Sequence, residues 1–141
     1  MLLLFIALAA AGNKPAYFVS LFEPAIETAP SLAYEYWNDA PSIDDLRMVA
    51  ERGHRDGLAG LRCSIAQNAT LNRCRVVNQL GGDLFGSAAL RLAHKFQMKS
   101  DLAQRARAAN STIFIQLQFC ARVVCNPPEW PGYSPAQPDG M

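Results

Sequence analysis

The residues of this chain best equipped for chemistry are few: four cysteines, two histidines and one adjacent pair of aspartates. Cys63 and Cys74 lie eleven positions apart in LRCSIAQNATLNRC, residues 61–74, on either side of a polar, turn-forming centre. Cys120 and Cys125 stand five apart across ARVV. An even cysteine count reads as disulfides in an oxidising compartment, and as metal or redox chemistry in a reducing one. Zinc at Cys63 and Cys74 needs two further ligands, and neither His54 nor His94 is at ligand spacing from them. The pair also lacks the Cys-x-x-Cys spacing of thioredoxin-like sites. A bridge, a metal site and buried thiols all stay open for it; the bridge is the expectation, with a second, local bridge between Cys120 and Cys125. Redox chemistry at Cys120 and Cys125 is a weaker reading.

The other candidates do less. Asp44-Asp45 suits the positive start of a helix better than a catalytic carboxylate pair, and His94 falls on a basic, solvent-facing helix side. No GxSxG, P-loop, HExxH or GxGxxG occurs. The expectation is a protein that is not an enzyme, with no cofactor and no metal. Two Asn-x-Ser/Thr sequons, at Asn68 and Asn110, read as chance, with Asn68 serving a turn.

These residues sit in 141 that make one domain's worth of chain, 50% hydrophobic and 18% charged, enough for a real core. The net charge of +1 gives no reason to expect nucleic acid. Its distribution is uneven: residues 1–45 carry −5, residues 46–122 carry +8, and the rest −2. The basic middle reads as a solvated surface or as attraction to an anionic partner. Residues 1–12, MLLLFIALAAAG, show the apolar run and small-residue cluster of a secretory signal peptide, too short to span a bilayer. Export, and with it bridged cysteines, is the expectation.

Residues 13–40, with Pro15, Pro24 and Pro30, read as an irregular leader. A helix is expected from Ser42, a cap candidate with Asp45 three residues on, carrying Ile43, Leu46 and Val49 or Ala50 on one face and ending at Gly53 or Gly57. Leu61, Cys63 and Ile65 alternate with polar residues as a strand does, and the run LNRCRVVN returns about Asn68-Ala69. With that turn, residue i faces 137 − i, and Cys63 falls opposite Cys74 at a separation a disulfide accepts. GGDLFGSAALRLAHKFQMKS opens with a glycine loop, has Ser87 as a cap candidate, and puts Ala89, Leu92, Ala93 and Phe96 on one helical face. A polar connection, KSDLAQRARAANS, leads to TIFIQLQFC, where Ile113, Ile115, Leu117 and Phe119 alternate with Phe114, Gln116 and Gln118. Residues 123–141 hold five prolines and read as an extended tail. The expected fold is α+β: a small antiparallel three-stranded sheet with two helices on one face, in the order helix-strand-strand-helix-strand.

Five stretches in this order look familiar: WNDAPSIDDL (37–46), GLAGLRC (57–63), LNRCRV (71–76), FGSAALRLAHKFQM (85–98) and IFIQLQF (113–119). Together they resemble the C-terminal domain of TonB-type energy transducers, in a cysteine-bearing bacterial variety, over residues 37–120. The fourth stretch, FGSAALRLAHKFQM, is close to the family's FG-x-AAL-x-LA-x-x-F-x-M helix. Met48-Val49 stands where the family has Tyr-Pro, and Ala69 where its hairpin turn has Gly. The resemblance implies a periplasmic module, residues 41–122, that binds an extended protein segment, such as that of an outer-membrane receptor, by strand addition. Thr112, Ile113, Phe114, Ile115, Gln116, Leu117, Gln118 and Phe119 would form the edge it adds to. As read, the chain carries no membrane helix and no long Pro-rich span, so it is not expected to bridge two membranes by itself. The alternative is a disulfide-stapled envelope protein that forms a homodimer through that edge and takes no peptide.

Overall fold

The computed structural model describes residues 18–26 and 35–121. The expected signal peptide and the whole of the expected tail, with Cys125, lie outside them. Among the described residues six strands and three α-helices follow one another: β1 (Phe18–Glu23), β2 (Trp37–Asp39), α1 (Ile43–Gly53), β3 (Gly57–Ile65), β4 (Leu71–Leu80), α2 (Asp83–Leu92), β5 (Gln97–Met98), α3 (Ser100–Ala108) and β6 (Thr112–Phe119). A 3-10 turn, Ala93–Lys95, joins α2 to β5.

The class is α+β, but the count differs from expectation. The main sheet has four antiparallel strands in the order β1-β6-β3-β4, and β2 pairs with β5 in a second, two-stranded sheet. Strands β3, β4 and β6 are the three expected. The fourth comes from the leader, which is therefore not irregular over Phe18–Glu23 or Trp37–Asp39. The third helix replaces the polar connection before β6.

Helix α1 starts as its sequence directs. Ser42 Oγ accepts from Asp45 N–H at 3.1 Å, and Ser42 N–H donates to Asp45 Oδ2 at 2.8 Å. Leu46, Val49 and Ala50 are buried, whereas Ile43 faces out. Gly53 ends the helix, and His54 takes the left-handed position after it, φ 58°. At Gly53 the missing side chain serves packing: a Cβ there would meet Leu84 Cδ2 at 2.6 Å.

Asp45 also receives Lys95 Nζ at 3.2 Å, tying α1 to the turn after α2. Burial pushes the Asp45 carboxyl up, but the Ser42 N–H and the Lys95 ammonium outweigh it and hold it below the usual carboxylate range. A carboxyl lowered by folding stabilises above its unfolded pKa, and the contribution is lost as pH falls through the folded value. Asp45→Asn should therefore cost about 0.5–1 kcal/mol at neutral pH. The gap between variant and parent should close below pH about 4. Thermal unfolding of both proteins across that range is the check; a gap that persists in acid would assign the effect to packing.

The β3–β4 hairpin turns where expected. Arg62 faces Arg75 and Leu61 faces Val76, on the predicted register, but two irregularities shift it by one residue on either side. Arg73, φ 54°, sits at the one beside the cysteines. Ala69 adopts φ 72°, a conformation that favours glycine. It is held there by β5: Met98 N–H donates to Ala69 O at 2.8 Å, and Gln97 Nε2 to Asn68 O at 2.8 Å. Asn68 Oδ1 accepts from Thr70 Oγ1 at 2.6 Å, so this residue does serve the turn.

Helix α2 begins at Asp83, earlier than Ser87, with Gly82 as its N-cap. Gly81, φ 99°, makes the preceding turn, where a Cβ would approach the Phe85 ring to 2.8 Å. Phe85, Ala88 and Ala89 then pack with Leu46, Ala103, Ala106, Ile115, Leu117 and Phe119 in one core. At its other end Phe18, Trp37 and Phe96 cluster, with the Trp37 and Phe96 ring centroids 4.7 Å apart and those of Phe18 and Phe96 5.2 Å apart.

A sheet interior as candidate functional site

The strand expected to receive a partner is β6. Its odd-numbered residues, Ile113, Ile115, Leu117 and Phe119, point into the helix-covered core and are wholly buried. Thr112, Phe114, Gln116 and Gln118 project from the opposite face.

Strand β6 is not an edge. On one side β3 runs along it from Gly57↔Phe119 to Cys63↔Ile113. On the other side β1 runs along it from Phe18↔Leu117 to Glu23↔Thr112. The physical reason is an exposed ladder's own liability: its unpaired N–H and C=O groups recruit a strand, and here the leader supplies one. The eight residues predicted as an open edge are brought together in one strand, but its backbone is already engaged. Proline at Ile115 would therefore break an interior strand and the fold with it, and cannot test docking.

Side chains fasten β1 in place. Arg62 Nε on β3 donates to Glu23 Oε1 at 2.8 Å, reaching across β6. Both side chains are part-exposed, so this pair is worth at most about 1 kcal/mol. Ser111 Oγ donates to Pro24 O at 2.6 Å just past the strand. Within β1, Phe18, Ser20 and Phe22 face the core, at 1, 0 and 3% exposure. Ser20 Oγ is buried there with no hydrogen-bond partner. Ser20 was missed in the sequence, where its hydroxyl breaks the apolar alternation of FVSLFE.

The remaining candidates are placed as follows. Cys63 and Cys74 form a disulfide with Cα atoms 4.1 Å apart, and Cys63 is buried in the core. Cys120 is also disulfide-bonded. Asp44 pairs with Arg47, and Asp45 caps α1, so both aspartates act at the helix start. His54 and His94 lie exposed at the end of α1 and in the 3-10 turn. Among the described residues no three His, Cys, Asp or Glu side chains gather as a metal site. None of the described helices is long and apolar enough to cross a membrane. The basic residues of the middle segment spread over several elements, including Arg52 on α1, Arg73 and Arg75 on β4, Arg91 on α2 and Arg107 on α3.

No protein-family model, no curated protein and no solved structure matches this chain.

Proposed function

We propose that this chain is an exported, periplasmic, TonB-C-like binding module that docks a protein partner by strand addition along β6, the incoming strand taking the place of β1. The observation that supports this most is β1 itself. A strand from outside the helix-strand-strand-helix-strand unit lies antiparallel along β6 over six residue pairs. The seat is therefore one that an extended segment fits, and the leader fills it at rest. Main-chain hydrogen bonds supply the affinity, and the positions under Phe18, Ser20 and Phe22 supply the selection. The preferred segment is aromatic, small and aromatic at every second residue. An N-terminal segment of an outer-membrane receptor is the partner class that the sequence resemblance suggests. The role is binding, with no chemical step assigned.

Ser20 makes β1 an imperfect occupant, which suits a strand meant to give way. A buried hydroxyl with no partner costs about 1–3 kcal/mol. Ser20→Ala should therefore stabilise the folded chain by about 1 kcal/mol while weakening capture of a competing peptide about fivefold, because β1 must leave first. Amide-shift NMR titration of the oxidised chain and of S20A with a panel of receptor N-terminal peptides measures both. Shifts at Thr112–Phe119 that need more peptide in S20A support displacement. No shifts with any peptide, or equal capture by both proteins, would overturn it. The covered edge would then favour the structural envelope reading, and sedimentation at rising concentration would show whether that protein dimerises.

A further inference from the structure

Trp37 is 6% exposed, and among the described residues its indole Nε1–H meets no hydrogen-bond acceptor. A buried indole N–H ordinarily has one, because a donor taken out of water and left unpaired is costly. The neighbours of Trp37 show where an acceptor belongs. Phe18, Ser20 and Phe22 form the core-facing row of β1. The Trp37 ring stands edge-on to Phe18, with centroids 6.5 Å apart. The ring of Tyr36, its chain neighbour, lies 5.0 Å from that of Phe22. The Tyr36–Trp37 pair therefore spans the row whose middle member is Ser20, about 6.8 Å along the strand from each phenylalanine.

Ser20 Oγ is likewise buried without a partner. An unpaired donor on the aromatic wall and an unpaired hydroxyl on the strand thus share one region of the core, and the serine does not close the gap between them. The wall has supports of its own. Trp37 packs on Phe96 and pairs with Met98 of β5, and Lys99 N–H donates to Tyr36 O at 2.9 Å. These contacts come from β5 and the chain on either side of it, so they do not depend on β1 being in its seat.

We propose that Trp37 is a specificity-determining residue of that seat: its indole N–H donates to the middle side chain of the incoming strand, an asparagine between two aromatic residues. The inference rests on the strand exchange proposed above and names the segment it favours. An asparagine carbonyl reaches a bond further than a serine hydroxyl, and its amide N–H groups can turn to the strand's own carbonyls. Aspartate brings a charge into the core, and alanine leaves the indole unpaired. The resting strand, with serine at this position, stops short of the donor.

Two experiments separate this inference from the exchange beneath it. The first uses no peptide: Ser20→Asn places the selected residue in β1 itself. The Trp37 indole proton should move downfield in the NMR spectrum and exchange with solvent more slowly than in the parent. An unmoved indole proton in folded S20N would overturn the inference and leave strand exchange standing.

The second experiment decides the matter even where S20N does not fold. The oxidised parent chain is titrated with peptides carrying Phe-Val-Asn-Leu-Phe or Phe-Val-Ala-Leu-Phe. The asparagine peptide should bind about tenfold more tightly. In Trp37→Phe, which keeps a ring and removes the donor, that preference should vanish. A parent that binds the two peptides equally, or a preference that survives in W37F, would overturn the role of Trp37. Capture of neither peptide would overturn it together with strand exchange.

Discussion

Replacing Phe85 by alanine should cost this fold about 3–5 kcal/mol, towards the upper end of that range. Phe85 is 0% exposed, and its ring centroid lies 5.2 Å from that of Phe119. The surroundings cannot collapse into the space it leaves. Backbone presses on the ring from two sides: a Cβ at Gly57 would stand 2.4 Å from it, and one at Gly81 2.8 Å. Single domains are stable by only about 5–15 kcal/mol, so the variant would be left near its unfolding threshold. Urea unfolding measures it: the midpoint should fall sharply with little change in slope. Leu90→Ala on the same helix, at a position 38% exposed, should cost much less and serves as control. A loss below about 2 kcal/mol for F85A would show that the α2–sheet contact relaxes more than its close backbone approaches suggest.

The second large effect belongs to the Cys63–Cys74 bridge. It closes a loop of about twelve residues, for which the chain-entropy account gives roughly 3 kcal/mol. The double variant Cys63→Ala/Cys74→Ala should lose about 2–4 kcal/mol, and the oxidised parent should lose a similar amount on full reduction. Alanine is the right replacement because Cys63 is only 1% exposed, and a serine hydroxyl would be buried there without need. A loss under about 1 kcal/mol would mean that the β3–β4 turn holds its ends together even in the unfolded chain, so that the bridge removes little freedom. The two losses differ in character. The Phe85 cavity weakens the folded state at any redox poise, whereas the bridge makes stability depend on an oxidising surrounding.

Much of the helix and hairpin architecture was legible because each signal was local. Ser42 and Asp45 reciprocate within one turn of chain, and Cys63 and Cys74 face one another because the two-residue strand period and the Asn68-Ala69 turn leave few registers. Even there the shifts on either side, with Arg73 at positive φ, were hidden, since an irregularity in a ladder has no side-chain signature of its own.

What was not legible depended on distant partners. Strand β1 reads poorly alone: three prolines crowd its neighbourhood and Ser20 interrupts the alternation. It becomes a strand only because β6 is there to pair with it. Helix α3 reads as a polar connection because its buried face is Leu102, Ala103 and Ala106, and two of those three are too small to give an apolar period. Strands β2 and β5 are three and two residues long, below what any pattern resolves. For the candidate site, the residues of β6 were found and their exposure was not. Alternation specifies which face a side chain takes, but an edge is a property of the whole sheet.

The strand order also governs when this protein can fold. A chain emerging from its N-terminus presents β1 before the other described strands, and among the described residues β1 pairs with β6 alone, about a hundred residues later. The β3–β4 hairpin can form early, but β6 must slide between two strands that already exist before the sheet closes. Contacts of such long sequence separation slow folding, because loop closure must precede the reward. Until residue 119 is free, the chain is a hairpin with two unattached ends. The arrangement that buries β6 in the folded protein is the same one that holds folding back until β6 itself is available.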